Sequence, residues 1–393
     1  MNCVICGQDS HKIYEFKDQL SVTSLGRLIG VNATVGGCES CGHCQTFSSL
    51  IHDDYYANDY KSLSESEEED DLYEIRHGLP IFRNVHMADV FINKNKDNLK
   101  SKTNILDYGC GKSLAGKYLN QHQSINLHLF DISSDYMKFW NSFLPISNTA
   151  TFNLPNKWKG NFDIVCSFFS LEHTSNPYDF LDNVNDALKN DGIFYFIVPY
   201  MYSENIFDFM VVDHLQHFSE TSVKFMLTKA GFEIIEQDLF SHKQAIIVIA
   251  RKKTKQNRNV KLPKEESYYF FKRQCSIAAH WEKWRSQILC WQERKKRPVV
   301  IIGAGVIGSL VFSIIGKENV LCFIDSNKHK QSKGWLGVQV ISTDKYNDST
   351  EIKSKRPIFV IALSYEQSRK LKEVLTPNKI DVSDVYSPPP LTF

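Results

Sequence analysis

Four cysteines carry the clearest chemistry in this chain. Cys3-Val4-Ile5-Cys6 and Cys38-Glu39-Ser40-Cys41 are two C-x2-C knuckles well separated in sequence, an arrangement that offers four thiolates from two tight turns to one tetrahedral Zn(II). Gly7 and Gly42 follow the second cysteine of each pair, where thiolates closing on one ion need a permissive backbone. Four sulfur ligands leave no open coordination position, so the expected ion is structural. His43 and Cys44 stand beside the second knuckle as spare groups. Of the ten cysteines, five lie in the first 44 residues. Residues 1–10 hold neither a basic region nor an apolar stretch of leader length, so a reducing, cytoplasmic setting is expected, where clustered cysteines are metal ligands rather than disulfides.

Two glycine turns come next. Ile105-Leu106-Asp107-Tyr108-Gly109-Cys110-Gly111-Lys112-Ser113 reads as a strand with an acidic end, a glycine turn and a helix start. The glycines let the backbone approach a ligand, and the helix supplies unsatisfied N–H groups. An acid at the strand end repels a pyrophosphate but suits an ammonium group, which favours S-adenosylmethionine over a dinucleotide. Asp131 ends the apolar run 127–130 and follows Gly111 at the offset of a ribose-binding acid, placed to accept bonds from the diol. Asn153 is the candidate for the adenine edge. The second turn, Val300-Ile301-Ile302-Gly303-Ala304-Gly305-Val306-Ile307-Gly308, is a full G-x-G-x-x-G, with Asp325 at the same offset after Gly305. By mechanism alone that is a dinucleotide fingerprint, and NAD is its direct reading.

Three histidines are candidate bases: His173, His214 and His217. An imidazole titrating near neutrality takes a proton from a sugar hydroxyl or from carbon beside a ketone. His214 follows the fifth strand of the central region, and Glu172 and His173 follow the fourth, at the sheet edge that opens to ligands. Contact of these residues with cofactor or acceptor is expected there. Asp213 is a candidate to orient a nearby imidazole, although adjacent side chains seldom face one another, so a direct Asp213–His214 pair is not expected.

These residues need elements to position them. The chain has 393 residues, 46 Lys+Arg against 45 Asp+Glu, 42% hydrophobic and 23% charged residues. A single small module is excluded, and so is a disordered or strongly cationic chain. Neither a nucleic-acid nor a membrane partner is expected from so balanced a charge. Four zones follow: a zinc-binding module at 1–60, an α/β domain at 75–252, a helical linker at 262–296 and a second α/β domain at 297–393. The acidic run 65–71 reads as a solvated connector. In the central zone, apolar strands at 104–108, 127–130, 162–167 and 193–199 alternate with helices at about 114–121, 176–189 and 220–230, which predicts a mostly parallel, doubly wound sheet. The runs 232–240 and 245–250 have no helix between them and should form an edge hairpin. Ile277, Trp281, Trp284, Ile288 and Trp291 step by four and three along one helix face, a packing seam bracing two domains or subunits. The uncharged stretch 298–316 is broken by four glycines, so it reads as strand, turn and helix rather than a membrane span.

Residues 105–250 resemble a class I S-adenosylmethionine-dependent methyltransferase, with Asp107-Tyr108-Gly109-Cys110-Gly111 as its glycine motif, Asp131 as its second acid, then Phe162-Asp163-Ile164-Val165 and Leu171-Glu172-His173. Ser113 stands where that motif often has a further glycine. The order of parts over nearly the whole chain resembles the sugar C-methyltransferase family, which acts on nucleotide-linked keto-deoxysugars. The knuckle Cys41-Gly42-His43-Cys44-Gln45 and the run Phe207 to Ser219 look like that family's, with Asp213 in the acidic place, His214 in the place of the general base and Val211 where the family has tyrosine. The resemblance implies a nucleotide-linked sugar as substrate, in surface-polysaccharide or secondary-metabolite assembly. It further implies that Gly303, Gly305, Gly308 and Asp325, in a Rossmann-like domain, serve a nucleotide-sugar site or the fold, with His217 also near substrate. Two other readings remain beside it: an NAD-dependent sugar-nucleotide oxidoreductase or epimerase, and a non-catalytic zinc and Rossmann scaffold. The oligomeric state is left open.

Overall fold

In the computed structural model, residues 1–16, 20–48, 55, 70–203, 206–253, 260–262, 264–363, 367–369, 371 and 384–387 are described. Most of the acidic run 65–71 and the proline run 388–390 therefore lie outside the described residues. The N-terminal region is built from short strands, β1 (His11–Phe16), β2 (Ser21–Val22), β3 (Leu28–Ile29), β4 (Ala33–Gly37) and β5 (Cys44–Ser48). A hairpin, β6 (Leu72–Arg76) and β7 (Leu79–Phe82), leads into α1 (Arg83–Asn95), neither of which the sequence patterning singled out.

The central domain then alternates as expected. It runs through β8 (Thr103–Tyr108), α2 (Leu114–His122), β9 (Ile125–Asp131), α3 (Met137–Trp140), β10 (Thr149–Thr151), β11 (Phe162–Phe168), α4 (Pro177–Ala187) and β12 (Leu188–Pro199). After the two-residue β13 (Gln216–His217) come α5 (Glu220–Lys229), β14 (Phe232–Asp238) and β15 (Ala245–Lys252). Seven strands form one sheet in the order β10-β9-β8-β11-β12-β15-β14. The first five run parallel, and the expected β14–β15 hairpin closes one edge antiparallel. Alternate residues feed opposite faces, as the pleat requires: Leu106, Val165, Phe194 and Phe196 join one core, while Ile105, Ile164, Tyr195 and Ile197 join the other.

The linker is a 32-residue helix, α6 (Lys264–Lys295), longer than its apolar stripe alone suggested. Trp281 and Trp284 are buried on it, edge to face at 5.2 Å, and Trp281 Nε1 donates to the Ile206 carbonyl at 3.0 Å. The tryptophan stripe is a packing seam. Beyond it lie β16 (Val299–Ile302), α7 (Val306–Ile315), β17 (Val320–Ile324), α8 (Lys328–Lys333), β18 (Val340–Ile341), α9 (Thr343–Asp348), α10 (Thr350–Ser354), β19 (Ile358–Ile361) and β20 (Val385–Tyr386). Their five strands make a parallel sheet ordered β18-β17-β16-β19-β20.

One boundary differs from expectation. The N-terminal sheet is ordered β1-β4-β5-β13, so its fourth strand comes from the central domain. Gln216 pairs with Gln45 and His217 with Cys44, antiparallel. A region of about 50 residues buries too little apolar surface to stand alone; here Ile5, Phe16 and Val35 share one continuous core with the central domain and α6.

Candidate active site

Both glycine turns sit where their sheets reverse strand order, at the carboxyl ends of β8 and β16. That is where open α/β sheets offer a ligand crevice. Here the two crevices are one: a cavity of about 1750 Å³ is lined by Asp107, Gly111 and Asp131 on one side and by Gly303, Gly305 and Asp325 on the other.

On the first side, Asp107 is buried, and its Oδ2 accepts a hydrogen bond from Ser113 Oγ at 2.6 Å while Oδ1 has no partner. Burial pushes its pKa up to about 7, against the pull of the Ser113 hydroxyl. Ser113 adopts φ +54°, the left-handed region that favours glycine. Its hydroxyl bond to Asp107 is what a glycine would not supply. Gly109 also has positive φ, and a Cβ there would lie 2.0 Å from Ser170 Oγ. A Cβ on Gly111 would meet nothing within 4 Å, so the space beside that turn is open to a ligand. Asp131 Oδ2 accepts from the Gly111 N–H at 2.8 Å and Oδ1 from the Ser133 N–H at 2.9 Å, and burial raises its pKa. Asn153 is exposed and lines the same cavity.

Deeper in, Glu172 and His173 occupy a 3₁₀ turn after β11, and His214 lies just before β13. All three line the cavity, and one potential ligand atom from each lies within 4.8 Å of the others. Both carboxylate oxygens of Glu172 are buried without a partner, and burial lifts its pKa to about 8. His173 Nδ1 bonds the Asp213 carbonyl at 2.9 Å, and burial pulls its pKa down to about 4. Burial acts on His214 in the same sense, but the charge and hydrogen bond of Asp208 outweigh it and hold the imidazole at about 9.

Asp208 is the residue that the spacing argument missed. Its Oδ1 accepts from His214 Nδ1 at 2.5 Å and its Oδ2 from His217 Nδ1 at 2.9 Å. Burial opposes its ionisation, yet the two imidazoles hold the carboxyl below the usual range. Two expectations are corrected as a result. His217 is buried with both ring nitrogens engaged, Nε2 by Thr46 Oγ1 at 3.0 Å; it lines no part of the cavity and is not placed to meet substrate. Asp213 engages Ser24 with its carboxylate, accepting from the Ser24 N–H at 2.7 Å and the Ser24 hydroxyl at 2.8 Å, and reaches the imidazoles through its charge. It anchors the loop and does not touch the cavity. Glu172, expected in contact with cofactor or acceptor, lines the same cavity as Asp107 and Asp131, beside the two histidines.

The four cysteines close up as expected from their spacing. Cys3 Sγ and Cys41 Sγ are 3.6 Å apart and Cys6 Sγ and Cys38 Sγ 3.5 Å, against roughly 3.8 Å between sulfurs of a tetrahedral site with Zn–S bonds of about 2.3 Å. Gly7 and Gly42 have φ +77° and +72°, each donating its N–H to the first cysteine of its knuckle. The donor set fits one tetrahedral ion. His43 and Cys44 stay outside it: His43 Nε2 meets Gln216 Oε1 at 2.9 Å, and Cys44 pairs with His217 in the shared sheet.

A sequence model described as a methyltransferase domain matches residues 82–237. This region is a methyltransferase domain. Its sheet order and its glycine turn after β8 are those of the class I, S-adenosylmethionine-dependent fold. The methyltransferase domain is similar to an S-adenosylmethionine-dependent methyltransferase from Mesorhizobium loti, 14% identical, covering 41% of this chain and 96% of that one, with TM-score 0.33. It is also similar to 1,6-didemethyltoxoflavin-N1-methyltransferase from Burkholderia thailandensis, solved with 1,6-didemethyltoxoflavin and S-adenosylhomocysteine, at 15% identity, 42% and 77% coverage and TM-score 0.33. No curated protein matches the chain. For the cofactor of the methyltransferase domain, the unpartnered Asp107 Oδ1 and the open space at Gly111 suit an ammonium group and a close-lying ligand.

The second glycine turn is equally well formed. Asp325 Oδ2 accepts from the Ala304 N–H and Oδ1 from the Asn327 N–H, both at 2.8 Å. Gly305 is open on its Cβ side, whereas a Cβ on Gly308 would lie 2.1 Å from the Gly303 carbonyl oxygen. Gly308 therefore serves helix–strand packing and does not line the cavity. Among the described residues, no helix is long and apolar enough to cross a membrane.

Proposed function

We propose that this protein transfers the methyl group of S-adenosylmethionine to a nucleotide-linked sugar, a keto-deoxysugar among the candidates, in surface-polysaccharide or secondary-metabolite assembly. One observation carries the reading: two nucleotide-type turns from two separate sheets open into the same cavity, with Glu172, His173 and His214 also on its wall. At about 1750 Å³ it exceeds the roughly 300–1,000 Å³ that one small ligand needs. In this reading Asp107, Gly109, Gly111, Asp131 and Asn153 hold the cofactor. Gly303, Gly305 and Asp325 hold the nucleotide of the acceptor, and Glu172, His173 and His214, the last aimed by Asp208, face the sugar to be methylated. Cys3, Cys6, Cys38 and Cys41 hold a structural Zn(II).

Methyl transfer from a sulfonium is an in-line displacement, so alignment of donor and acceptor supplies much of its acceleration. The test is calorimetric titration of the full-length protein with S-adenosylhomocysteine, NAD and the nucleoside diphosphates, followed by labelled methyl transfer to a panel of nucleotide sugars. Binding of S-adenosylhomocysteine together with one nucleoside diphosphate, and transfer to its sugar conjugate, is expected. Binding of NAD in place of both would overturn the reading.

A further inference from the structure

The wall that faces the acceptor holds a second cluster with the make-up of a metal site. We infer that Glu172, His173 and His214 bind a divalent transition-metal ion, which receives an acceptor carrying two neighbouring oxygens, a vicinal diol or hydroxy-ketone. This rests on the reading of the cavity as the methyl-transfer site, and it says how the acceptor is held there.

Three observations support it. First, one potential ligand atom from each residue lies within 4.8 Å of the others, close enough for small side-chain rotations to bring them onto one ion at about 2.0–2.2 Å. Second, both oxygens of Glu172 are buried and bonded to nothing, although the residue is only 1% exposed. A buried carboxyl group without a partner is rare in a native protein, and a cation is the kind of group that satisfies it. Third, the histidines are already oriented as metal-bound histidines are. His214 Nδ1 is held by the Asp208 carboxylate and His173 Nδ1 by the Asp213 carbonyl. Such an outer bond sets the tautomer and aims Nε2 at the ion.

Two imidazoles and one carboxylate are the donor set of sites that leave coordination positions open, in contrast to the closed four-thiolate set at Cys3, Cys6, Cys38 and Cys41. Two adjacent open positions match two adjacent oxygens. An ion there lowers the pKa of an acceptor hydroxyl. The hydroxyl proton leaves to solvent, the oxygen lone pair forms the new bond to the S-methyl carbon, and the carbon–sulfur pair returns to sulfur as S-adenosylhomocysteine.

Mn(II) is the probe, because a hard ion leaves the thiolate site to zinc. Electron paramagnetic resonance on the full-length, zinc-loaded protein should show one Mn(II) bound per chain. Glu172→Gln should weaken that binding at least tenfold, with its thermal midpoint measured alongside. Independently of any variant, bound Mn(II) should broaden the NMR signals of S-adenosylhomocysteine in the wild-type complex. Absence of Mn(II) binding, or binding unchanged in a folded Glu172→Gln protein, overturns the inference, and so does an unbroadened ligand spectrum. S-adenosylhomocysteine binding is measured without Mn(II), so loss of the cation site and loss of the methyltransferase reading give different results.

Discussion

Asp208 Oδ1 lies 2.5 Å from Nδ1 of His214, six residues further along the chain. The same carboxylate holds His217 through its other oxygen, so one buried charge sets two rings. Asp208→Asn keeps the shape and removes the charge. Methyl transfer should fall 10- to 100-fold, the range seen when the group behind a metal-bound histidine is lost, while S-adenosylhomocysteine affinity stays within about twofold, since Asp208 is not among the proposed cofactor contacts. Turnover and calorimetry on one preparation check this; wild-type turnover would remove Asp208 from the role.

Ser24 and Asp213, far apart in sequence, are joined by two hydrogen bonds. Asp213→Ala should cost about 2–4 kcal/mol in stability, because it deletes two bonds to a charged acceptor in a buried place. Ser24→Ala, which removes the hydroxyl bond and keeps the backbone one, should cost about 1 kcal/mol. Urea denaturation of both variants gives the comparison, and equal losses would contradict the geometry.

Cofactor binding should depend on pH through Asp107. Burial raises its pKa to about 7 in the ligand-free protein, and an ammonium group requires the ionised carboxylate. Below pH 7 a proton must leave before the ligand binds, so S-adenosylhomocysteine affinity should fall by up to tenfold per pH unit on acidification and level off above about pH 8. The opposite sign applies to folding without ligand: this acid is neutral below its raised pKa, so its cost to stability grows as pH rises from about 4 through 7. Calorimetry from pH 5.5 to 8.5 tests the first statement, and Asp107→Asn should flatten the profile.

At Ser113 two effects oppose each other. Glycine would relieve the left-handed backbone, worth about 1 kcal/mol, but would leave Asp107 Oδ2 without its hydroxyl partner. Ser113→Gly should therefore be within about 1 kcal/mol of wild type, whereas Ser113→Ala keeps the strain, loses the bond and should cost about 1–3 kcal/mol. Thermal unfolding ranks the pair, and a more stable alanine variant would refute the argument.

Gly305 and Gly308 should separate nucleotide binding from folding in the C-terminal sheet. A Cβ at Gly305 meets nothing, while one at Gly308 would run into the Gly303 carbonyl. Gly305→Ala should fold normally and bind nucleoside diphosphate at least tenfold more weakly. Gly308→Ala should lower the thermal midpoint. Unchanged nucleotide affinity in Gly305→Ala would show that the turn holds no ligand.

Much of the framework was legible because local periodicity decides it. The strands ending at Tyr108, Phe168 and Ile302, the helices after each glycine turn, and the four clustered cysteines all follow from short-range pattern. What escaped depends on contacts distant in sequence. Asp208 sits among apolar residues in a 3₁₀ turn with no periodic signal, and its importance appears only when His214 and His217 fold back on it. Its place shortly before the histidines was visible but carried no regular geometry. The neighbour relation was misleading in the other direction: Asp213 is adjacent to His214 yet bonds Ser24 instead. Nor does β13, two residues long, register as a strand until β5 is beside it.

That short strand also bears on how such a chain can change over evolutionary time. The N-terminal segment supplies three strands of its sheet and borrows the fourth from the loop that carries His214. A recombination event that moved residues 1–48 to another enzyme would leave an open strand edge at both the donor and the recipient. Inheritance therefore has to treat the second knuckle, with the strand that follows it, and the run from Asp208 to His217 as one unit, although most of the methyltransferase domain lies between them in the chain.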